Sequence, residues 1–249
     1  MNRIGLSLLV ACLWSMSVPA DELLVAAASN FSAPMNELVL RFEAQTDHTV
    51  EVAFGSSGRL FAQISNGAPF QIFFSADQDK PERLLASGLA VPGSSFTYAT
   101  GALVVWNADE HAAVPDTRAL SHDSELRIAI ANPRVAPYGA AAMEAIASLA
   151  LSEALADRLV LGENIAQTYQ FVDSGNAPLG FVAKSQVFLD GSLRKGSAWE
   201  VPANLHAPIR QDAVLLTRAQ DCVACQQFLT FVQLPDQRAL LAGWGYRFD

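Results

Sequence analysis

The sequence predicts an α/β protein with mostly parallel sheets. Apolar runs of strand length are followed by segments whose apolar residues recur at helical spacing, and this order repeats almost throughout the 249 residues. Hydrophobic residues make up 51% of the chain and charged residues 16%, which supplies a sizeable core and excludes a disordered or fibrous protein. At about 150 residues per domain, the length fits one large domain or two modest ones.

The first half of the chain alternates strands with helices. Apolar residues from Phe31 to Phe42 follow the 3.6-residue period of a helix. Pro81 suits the first turn of another helix, and Gly88 marks its end. In order, the predicted strands are 23–28, 50–54 and 72–75, and the predicted helices are 31–42, 60–64 and 81–88.

The second half repeats the pattern. No linker rich in Pro, Gly or Ser separates two halves, so if the chain forms two lobes, it crosses between them by ordered strands near 97–102 and 205–212. A helix containing Cys222 and another opened by Pro235 end the chain. Before these two helices, the predicted strands are 102–106, 126–131, 180–183 and 213–217, and the predicted helices are 139–151 and 163–172.

The N-terminus is typical of a secretory signal. Arg3 precedes an apolar stretch that is too short to span a bilayer, and Val18-Pro19-Ala20 before an acidic pair predicts cleavage after Ala20. Residues 1–20 are therefore interpreted as the signal peptide of an exported protein. An alternative remains open, because Leu9-Val10-Ala11-Cys12 resembles a bacterial lipobox in which Cys12 would be lipidated.

Two cysteines, Cys222 and Cys225, remain after the predicted cleavage. Thiol oxidoreductases carry a C-x-x-C pair after the first strand of a small domain, whereas this pair lies near the C-terminus, before apolar residues at helical spacing. We therefore interpret it as a helix-start pair that is either reduced or closed as a local disulfide.

Four predicted helices begin with small or hydroxyl residues that follow, or closely follow, a strand. Helix starts carry free backbone N–H groups and a partial positive charge, so they bind oxyanions without formal positive charge. One such start would predict only an ordinary helix cap, but four together, with four polar or glycine residues in the second, favour an anion site. The four segments are Ala27-Ala28-Ser29-Asn30, Gly55-Ser56-Ser57-Gly58, Asn132 to Gly139, and Gly162-Glu163-Asn164-Ile165.

Several other functions are disfavoured. A net charge of -9 without a basic run excludes binding along the phosphates of a nucleic acid. A serine hydrolase would use Ser29 or Ser57, yet the sequence has no G-x-S-x-G elbow, and its four histidines lie in polar contexts typical of solvated residues. No bare metal cation is expected, because no His pair has i, i+4 spacing and Asp77 fits a helix cap better than a calcium loop.

Taken in order along the chain, these motifs resemble the periplasmic molybdate- and tungstate-binding proteins of ABC importers. The resemblance covers essentially the whole chain after residue 20. Its specificity rests on order and spacing together. The matching segments are Ala26-Ala27-Ala28-Ser29, Phe54-Gly55-Ser56-Ser57-Gly58, Gly67-Ala68-Pro69-Phe70, Phe74-Ser75-Ala76-Asp77, Asn132-Pro133 with Ala136-Pro137-Tyr138-Gly139, Gly162-Glu163-Asn164-Ile165, and Ala177-Pro178-Leu179-Gly180-Phe181-Val182.

The resemblance implies a two-lobed periplasmic binding protein fold of type II, with a mostly parallel sheet flanked by helices in each lobe and a double-crossover hinge. Lobe I would comprise residues 21–100 and 208–249, and lobe II residues 101–207. The implied protein is a monomer, not an enzyme, that needs no cofactor. It would capture molybdate or tungstate between the lobes and deliver it to a membrane permease.

The resemblance also implies the ligand residues. In the family, the oxyanion is held by hydroxyls matching Ser29 and Ser57 and by main-chain N–H groups matching Tyr138 and Ile165. One subtype takes a further donor from a Tyr hydroxyl, where this chain has Ala183. The other takes it from an Asn directly after the first Ser. Asn30 therefore places this chain with the second subtype.

Three points stay open from the sequence. Gln71 stands where the family usually has Asp, which leaves the role of that position undetermined. A related binder of sulfate, phosphate or an organic anion would share the fold and the donors. A carboxylate binder normally uses an arginine fork, and we expect the two arginines near the helix starts, Arg59 and Arg134, to point outward. Molybdate and tungstate are nearly the same size, so their order of affinity is not predicted.

Overall fold

The computed structural model describes residues 20–121 and 126–248. All of the predicted signal peptide except Ala20, including the alternative lipidation site Cys12, lies outside the described residues. Within them, every helix is too short or too polar to traverse a lipid bilayer.

The described residues alternate strands and helices, as predicted. The strands are β1 (Glu22–Ala28), β2 (Thr49–Gly55), β3 (Ile72–Phe74), β4 (Phe96–Gly101), β5 (Leu103–Asn107), β6 (Ile128–Ala131), β7 (Leu159–Gly162), β8 (Leu179–Ala183), β9 (Phe188–Leu189), β10 (Ser192–Leu193), β11 (Ser197–Glu200) and β12 (Ile209–Leu215). The α-helices are α1 (Ser32–Glu43), α2 (Ser57–Ser65), α3 (Asp79–Ala86), α4 (Thr117–Ser121), α5 (Pro137–Ser148), α6 (Ser152–Leu155), α7 (Ile165–Asp173), α8 (Lys184–Val187), α9 (Val223–Val232) and α10 (Pro235–Gly243).

Two five-stranded sheets organise these elements. The first has the order β2-β1-β3-β12-β4 and the second the order β11-β5-β8-β6-β7. In the first sheet β1 pairs in parallel with β2 and β3, and in the second β6 pairs in parallel with β7 and β8. The other pairings are antiparallel and all involve β12 in the first sheet or β5 in the second, so four strands of each sheet share one direction and one runs against them.

The chain passes between the two sheets twice. It leaves the first sheet at the end of β4 and enters the second at the start of β5, and it returns between β11 and β12. Separate apolar clusters fill the two faces of each sheet, with Phe31, Phe74 and Phe228 in one cluster of the first sheet and Ile130, Tyr138 and Phe181 in one cluster of the second. Each sheet therefore has its own core.

Sequence reasoning missed the strand β7. It has only four residues, and it is not buried on both faces, so it lacks the long apolar run of a buried strand. Its residues are partly exposed apart from Gly162, and Leu161 is 54% exposed. The helix predicted to begin at Gly139 begins instead at Pro137, which occupies the first turn, where its missing N–H costs nothing.

Cys222 and Cys225 lie at the start of α9, as predicted, and the structure pairs them as a disulfide. Cys222 is the N-cap residue, and its Sγ accepts the backbone N–H of Cys225 at 3.1 Å. The pair therefore stabilises one helix end and has a local structural role.

Tyrosine hydroxyls join the two sheets in a buried polar network. Tyr98 lies on β4 of the first sheet, Tyr138 on α5, which packs against the second sheet, and Tyr246 beyond α10. Gln211 on β12 contacts the first two, since its Oε1 accepts from Tyr98 at 2.8 Å and its Nε2 donates to Tyr138 at 3.1 Å. The Tyr246 hydroxyl donates toward Ser185 on α8 at 3.2 Å.

Burial raises the pKa of Tyr98, Tyr138 and Tyr246 above the ordinary value of 10.0. Neighbouring phenols raise the pKa of Tyr98 and Tyr138 further, and hydrogen bonds from Gln211 and Asn30 oppose part of the rise at Tyr138. All three hydroxyls therefore keep their protons at pH values where an unfolded chain would lose them.

We expect alkaline pH to destabilise the protein. Below pH 10, the approximate pKa of tyrosine in the unfolded chain, the contribution of the buried tyrosines to the free energy of unfolding is fully present. Above this pH, each buried phenol lowers the free energy of unfolding by up to about 1.4 kcal/mol per pH unit, because only the unfolded chain releases the proton. Urea unfolding at pH 8 to 11 measures this slope, and Tyr246→Phe should reduce it by one such increment. Equal slopes in the two proteins would contradict the prediction.

Candidate functional site

A small cavity lies between the sheets, where parallel strands end and helices begin. Its empty space amounts to about 190 Å³, part of which is open to solvent. The first sheet contributes residues directly after β1 and β2 and near the end of β3, and the second sheet contributes the helix starts that follow β6 and β7. Ligands of α/β proteins collect at such carboxyl ends of strands, because several helix N-termini converge there.

All five residues predicted from the sequence line this cavity, namely Ser29, Asn30, Ser57, Tyr138 and Ile165. Each is at most 4% exposed. The other lining residues are small or apolar, except for Ser56. The structure therefore brings together residues that are spread over 137 positions of the chain, from position 29 to position 165.

Two serine hydroxyls of the cavity have no hydrogen-bond partner within the described part of the chain. Ser29 Oγ and Ser56 Oγ are both buried and unpaired. Ser56 is the N-cap residue of α2, a position where a serine ordinarily accepts a backbone N–H, yet it makes no such bond. Buried polar groups without partners are rare, so both hydroxyls are available to a ligand.

Ser57 is held differently. Its Oγ accepts the backbone N–H of Ala76 at 2.9 Å, so the hydroxyl proton is left to be donated elsewhere. The next residue, Gly58, donates its backbone N–H to the Val135 carbonyl at 2.9 Å. A Cβ at Gly58 would lie 2.9 Å from the Val135 Cα, so only glycine permits this approach of α2 to the segment before α5.

Tyr138 and Ile165 lie in the first turns of α5 and α7. Among the described residues, neither backbone N–H has an acceptor, as expected for the first positions of a helix. Asn164 caps α7 by accepting the Gln167 N–H at 3.0 Å, and this bond leaves the Ile165 N–H free. The phenol of Tyr138 points instead into the buried network, toward Gln211.

The side chain of Asn30 is engaged within the protein. Its Nδ2 donates to Gln211 Oε1 at 2.8 Å and to the Tyr246 hydroxyl at 2.9 Å. The backbone carbonyl of Asn30 accepts from Ser185 Oγ at 2.8 Å. The amide group therefore fixes the turn after β1, and both of its N–H groups are already used.

The cavity lining carries no charged side chain within the described residues. Arg59 and Arg134 are exposed, as predicted. Arg59 pairs with Glu163 at 2.5 Å across the cleft, and its side chain stays 58% exposed. Arg134 lines a wider part of the cleft, which shares Ala76 and two other residues with the cavity.

Other residues considered from the sequence lie outside the cavity. His48 was expected to be solvated, and this prediction is wrong: it is 7% exposed, and its Nδ1 accepts the Asp21 N–H at 3.1 Å. Gln71 takes a structural role, because its Oε1 accepts the Leu24 N–H at 2.7 Å. Asp77 accepts the Lys80 N–H at the start of α3. His122 lies outside the described residues.

This donor set suits an anion that offers only hydrogen-bond acceptors. Hydroxyls and helix N–H groups supply donors, and no carboxylate competes with the ligand in the cavity. Within the described residues, no group of three His, Cys, Asp or Glu side chains could hold a metal cation. Sequence reasoning included Ser56 only as a member of the second helix start, and it gave no role to Gln211, whose position only the folded chain reveals.

Comparison with known proteins agrees with this architecture. The profile of the family described as bacterial extracellular solute-binding protein matches residues 23–247. The molybdate-binding protein ModA of Azotobacter vinelandii is 46% identical over 96% of this chain and 93% of that protein. ModA of Rhodobacter capsulatus is 44% identical over 95% of this chain and 93% of that protein.

A solved structure is also similar. The periplasmic molybdate-binding protein of Azotobacter vinelandii superposes with a TM-score of 0.87 and 38% sequence identity, covering 91% of this chain and 99% of that one. The two-lobed α/β prediction is thereby confirmed. The profile match and the full-length similarity to the two ModA proteins establish that the chain belongs to the family of bacterial extracellular solute-binding proteins.

Proposed function

We propose that this protein captures molybdate, and tungstate with it, between its two lobes and delivers the oxyanion to an ABC importer. It is a binding protein and not an enzyme, in keeping with its relatives, and the ligand is its only bound group. The single observation that carries the proposal is a buried cavity lined by uncharged donors, in which Ser29 and Ser56 hydroxyls lack partners.

The proposed ligand shell comprises the five residues expected from the sequence, Ser29, Asn30, Ser57, Tyr138 and Ile165, together with Ser56, whose buried hydroxyl also lacks a partner. The serines donate O–H groups, and Tyr138 and Ile165 donate backbone N–H groups. Because its side-chain amide is engaged, Asn30 contributes its backbone N–H at the turn after β1. Hydrogen bonds to an ionised group are worth about 1.5–3 kcal/mol each, so several fixed donors offset the dehydration of the anion.

We assign residues 21–100 and 208–249 to lobe I and residues 101–207 to lobe II, with the two crossings as the hinge. The Gly58–Val135 hydrogen bond and the Arg59–Glu163 ion pair connect the lobes at the mouth of the cleft. Closing the lobes brings the donors from both sheets onto one anion. A rigid shell of this kind selects by size, since molybdate and sulfate share charge and shape.

The proposed route places the protein in the periplasm as a monomer. Cleavage after Ala20 releases it, and a membrane permease receives the oxyanion. Lipidation at Cys12 is the alternative mode of export, and the mass of the N-terminal peptide from the native host distinguishes the two.

We expect molybdate and tungstate to stabilise the purified protein, and sulfate and phosphate to leave it unchanged. Ligand at about 1,000 times its dissociation constant adds roughly 4 kcal/mol to the free energy of unfolding. A thermal-shift series with the four anions measures this difference. Absence of a shift with both metal oxyanions would contradict the proposal, and a shift with sulfate alone would identify a sulfate binder.

We expect Ser57→Ala to weaken molybdate binding by about 10- to 100-fold, because it removes one hydrogen bond to a charged ligand. Arg134→Ala is the control, and its dissociation constant should change less than about threefold, since an exposed cation is screened by salt. Isothermal titration calorimetry gives both values. A larger loss in Arg134→Ala would mean that the site depends on formal charge.

A further inference from the structure

We propose that Gln211 is a positioning residue for the oxyanion: its one buried amide fixes a proposed donor of each lobe relative to the other. The inference rests on the proposed function. Gln211 lies on β12, is 0% exposed, and does not line the cavity.

Every polar atom of the Gln211 side chain is used. Its Oε1 accepts from Asn30 Nδ2 at 2.8 Å and from the Tyr98 hydroxyl at 2.8 Å. Its Nε2 donates to the Tyr138 hydroxyl at 3.1 Å. A carboxamide accepts at its oxygen and donates at its nitrogen, so neither an apolar residue nor an ionised carboxylate could make all three of these hydrogen bonds.

The two contacts reach opposite sides of the cavity. Asn30 follows β1 of the first sheet, and Tyr138 begins α5 beside the second sheet. Both residues line the cavity and are proposed donors through their backbone N–H groups, while their side chains meet at Gln211. A shift of the Gln211 amide would therefore change the spacing between donors of the two lobes.

The backbone around Gln211 is shaped for this contact. The register between β12 and β4 shifts between Gln211 and Asp212, so the pairing of the two strands is irregular directly after Gln211. Gly101, the last residue of β4 before the chain crosses between the sheets, pairs with Ile209, two residues before Gln211 on β12. A Cβ at Gly101 would lie 2.1 Å from the Tyr138 hydroxyl and 2.5 Å from Gln211 Nε2, so the contact requires glycine.

The tyrosine hydroxyls of this network are buried and keep their protons. The hydroxyls of Tyr98, Tyr138 and Tyr246 are buried, and their hydrogen bonds to Gln211 and Asn30 hold them in place. A second connection between the lobes runs from Ser185 Oγ to the Asn30 carbonyl. Gln211 is thus the central member of a network that orients donors without touching the ligand.

The test compares Gln211→Leu with Gln237→Leu. Gln237 on α10 is also buried, at 4% exposed, but its Oε1 has no partner among the described residues and it does not line the cavity. We expect Gln211→Leu to raise the molybdate dissociation constant at least about tenfold, because three buried groups lose a partner. The molybdate dissociation constant of Gln237→Leu should stay within about twofold of the wild-type value, whatever the change in melting temperature of this variant.

Tyr138→Phe is the second variant, since it keeps the backbone N–H and removes only the hydroxyl that Gln211 contacts. We expect a dissociation constant about threefold or more above that of the wild type, with an unliganded melting temperature no lower than that of Gln237→Leu. This variant decides the question if Gln211→Leu does not fold.

Calorimetry with molybdate and unfolding without ligand supply the two readouts. Wild-type affinity in both Gln211→Leu and Tyr138→Phe would overturn the inference while leaving the proposed function intact. Equal weakening in Gln237→Leu would also overturn it, because the effect would then follow stability and not position. If the wild-type protein binds neither molybdate nor tungstate, the proposed function fails, and the inference with it.

Discussion

Hydrogen-bond donors that are buried without acceptors are the feature on which the rest of the structure depends. A donor removed from water without a partner costs free energy, so a fold rarely retains one without a use. Here the Ser29 and Ser56 hydroxyls and the first-turn N–H groups of α5 and α7 meet in one cavity. An anion that accepts from all of them satisfies these groups at once.

This requirement explains the architecture of the two sheets. Strands β1, β2 and β3 run parallel, and so do β6, β7 and β8, which points the following helix starts toward one edge of each sheet. The two crossings of the chain set these edges against each other. Glycine is needed where the two halves approach, at Gly58 beside Val135 and at Gly101 beside Gln211, since a side chain would hold them apart.

The acidity of the chain is compatible with a bound anion. The net charge of -9 describes the solvated exterior, where carboxylates are screened within about 10 Å at 0.1 M salt. Inside the cavity, uncharged O–H and N–H dipoles determine the local potential. Long-range charge therefore argues against a nucleic acid partner but not against a small anion enclosed by protein.

The sequence by itself determined the order of strands and helices, because apolar periodicity and caps are local properties, and it singled out the helix starts from which the cavity is built. Only the tertiary structure decided how those donors are used. Gln211 and Tyr246 lie 181 and 216 positions from Asn30, and only the tertiary packing of β12 and of the segment after α10 brings them to its amide. The unpaired Ser56 hydroxyl depends likewise on which groups fold around it. Short or partly exposed strands such as β7 show no apolar alternation and only a short apolar run in the sequence, since the pairing that stabilises them comes from distant segments.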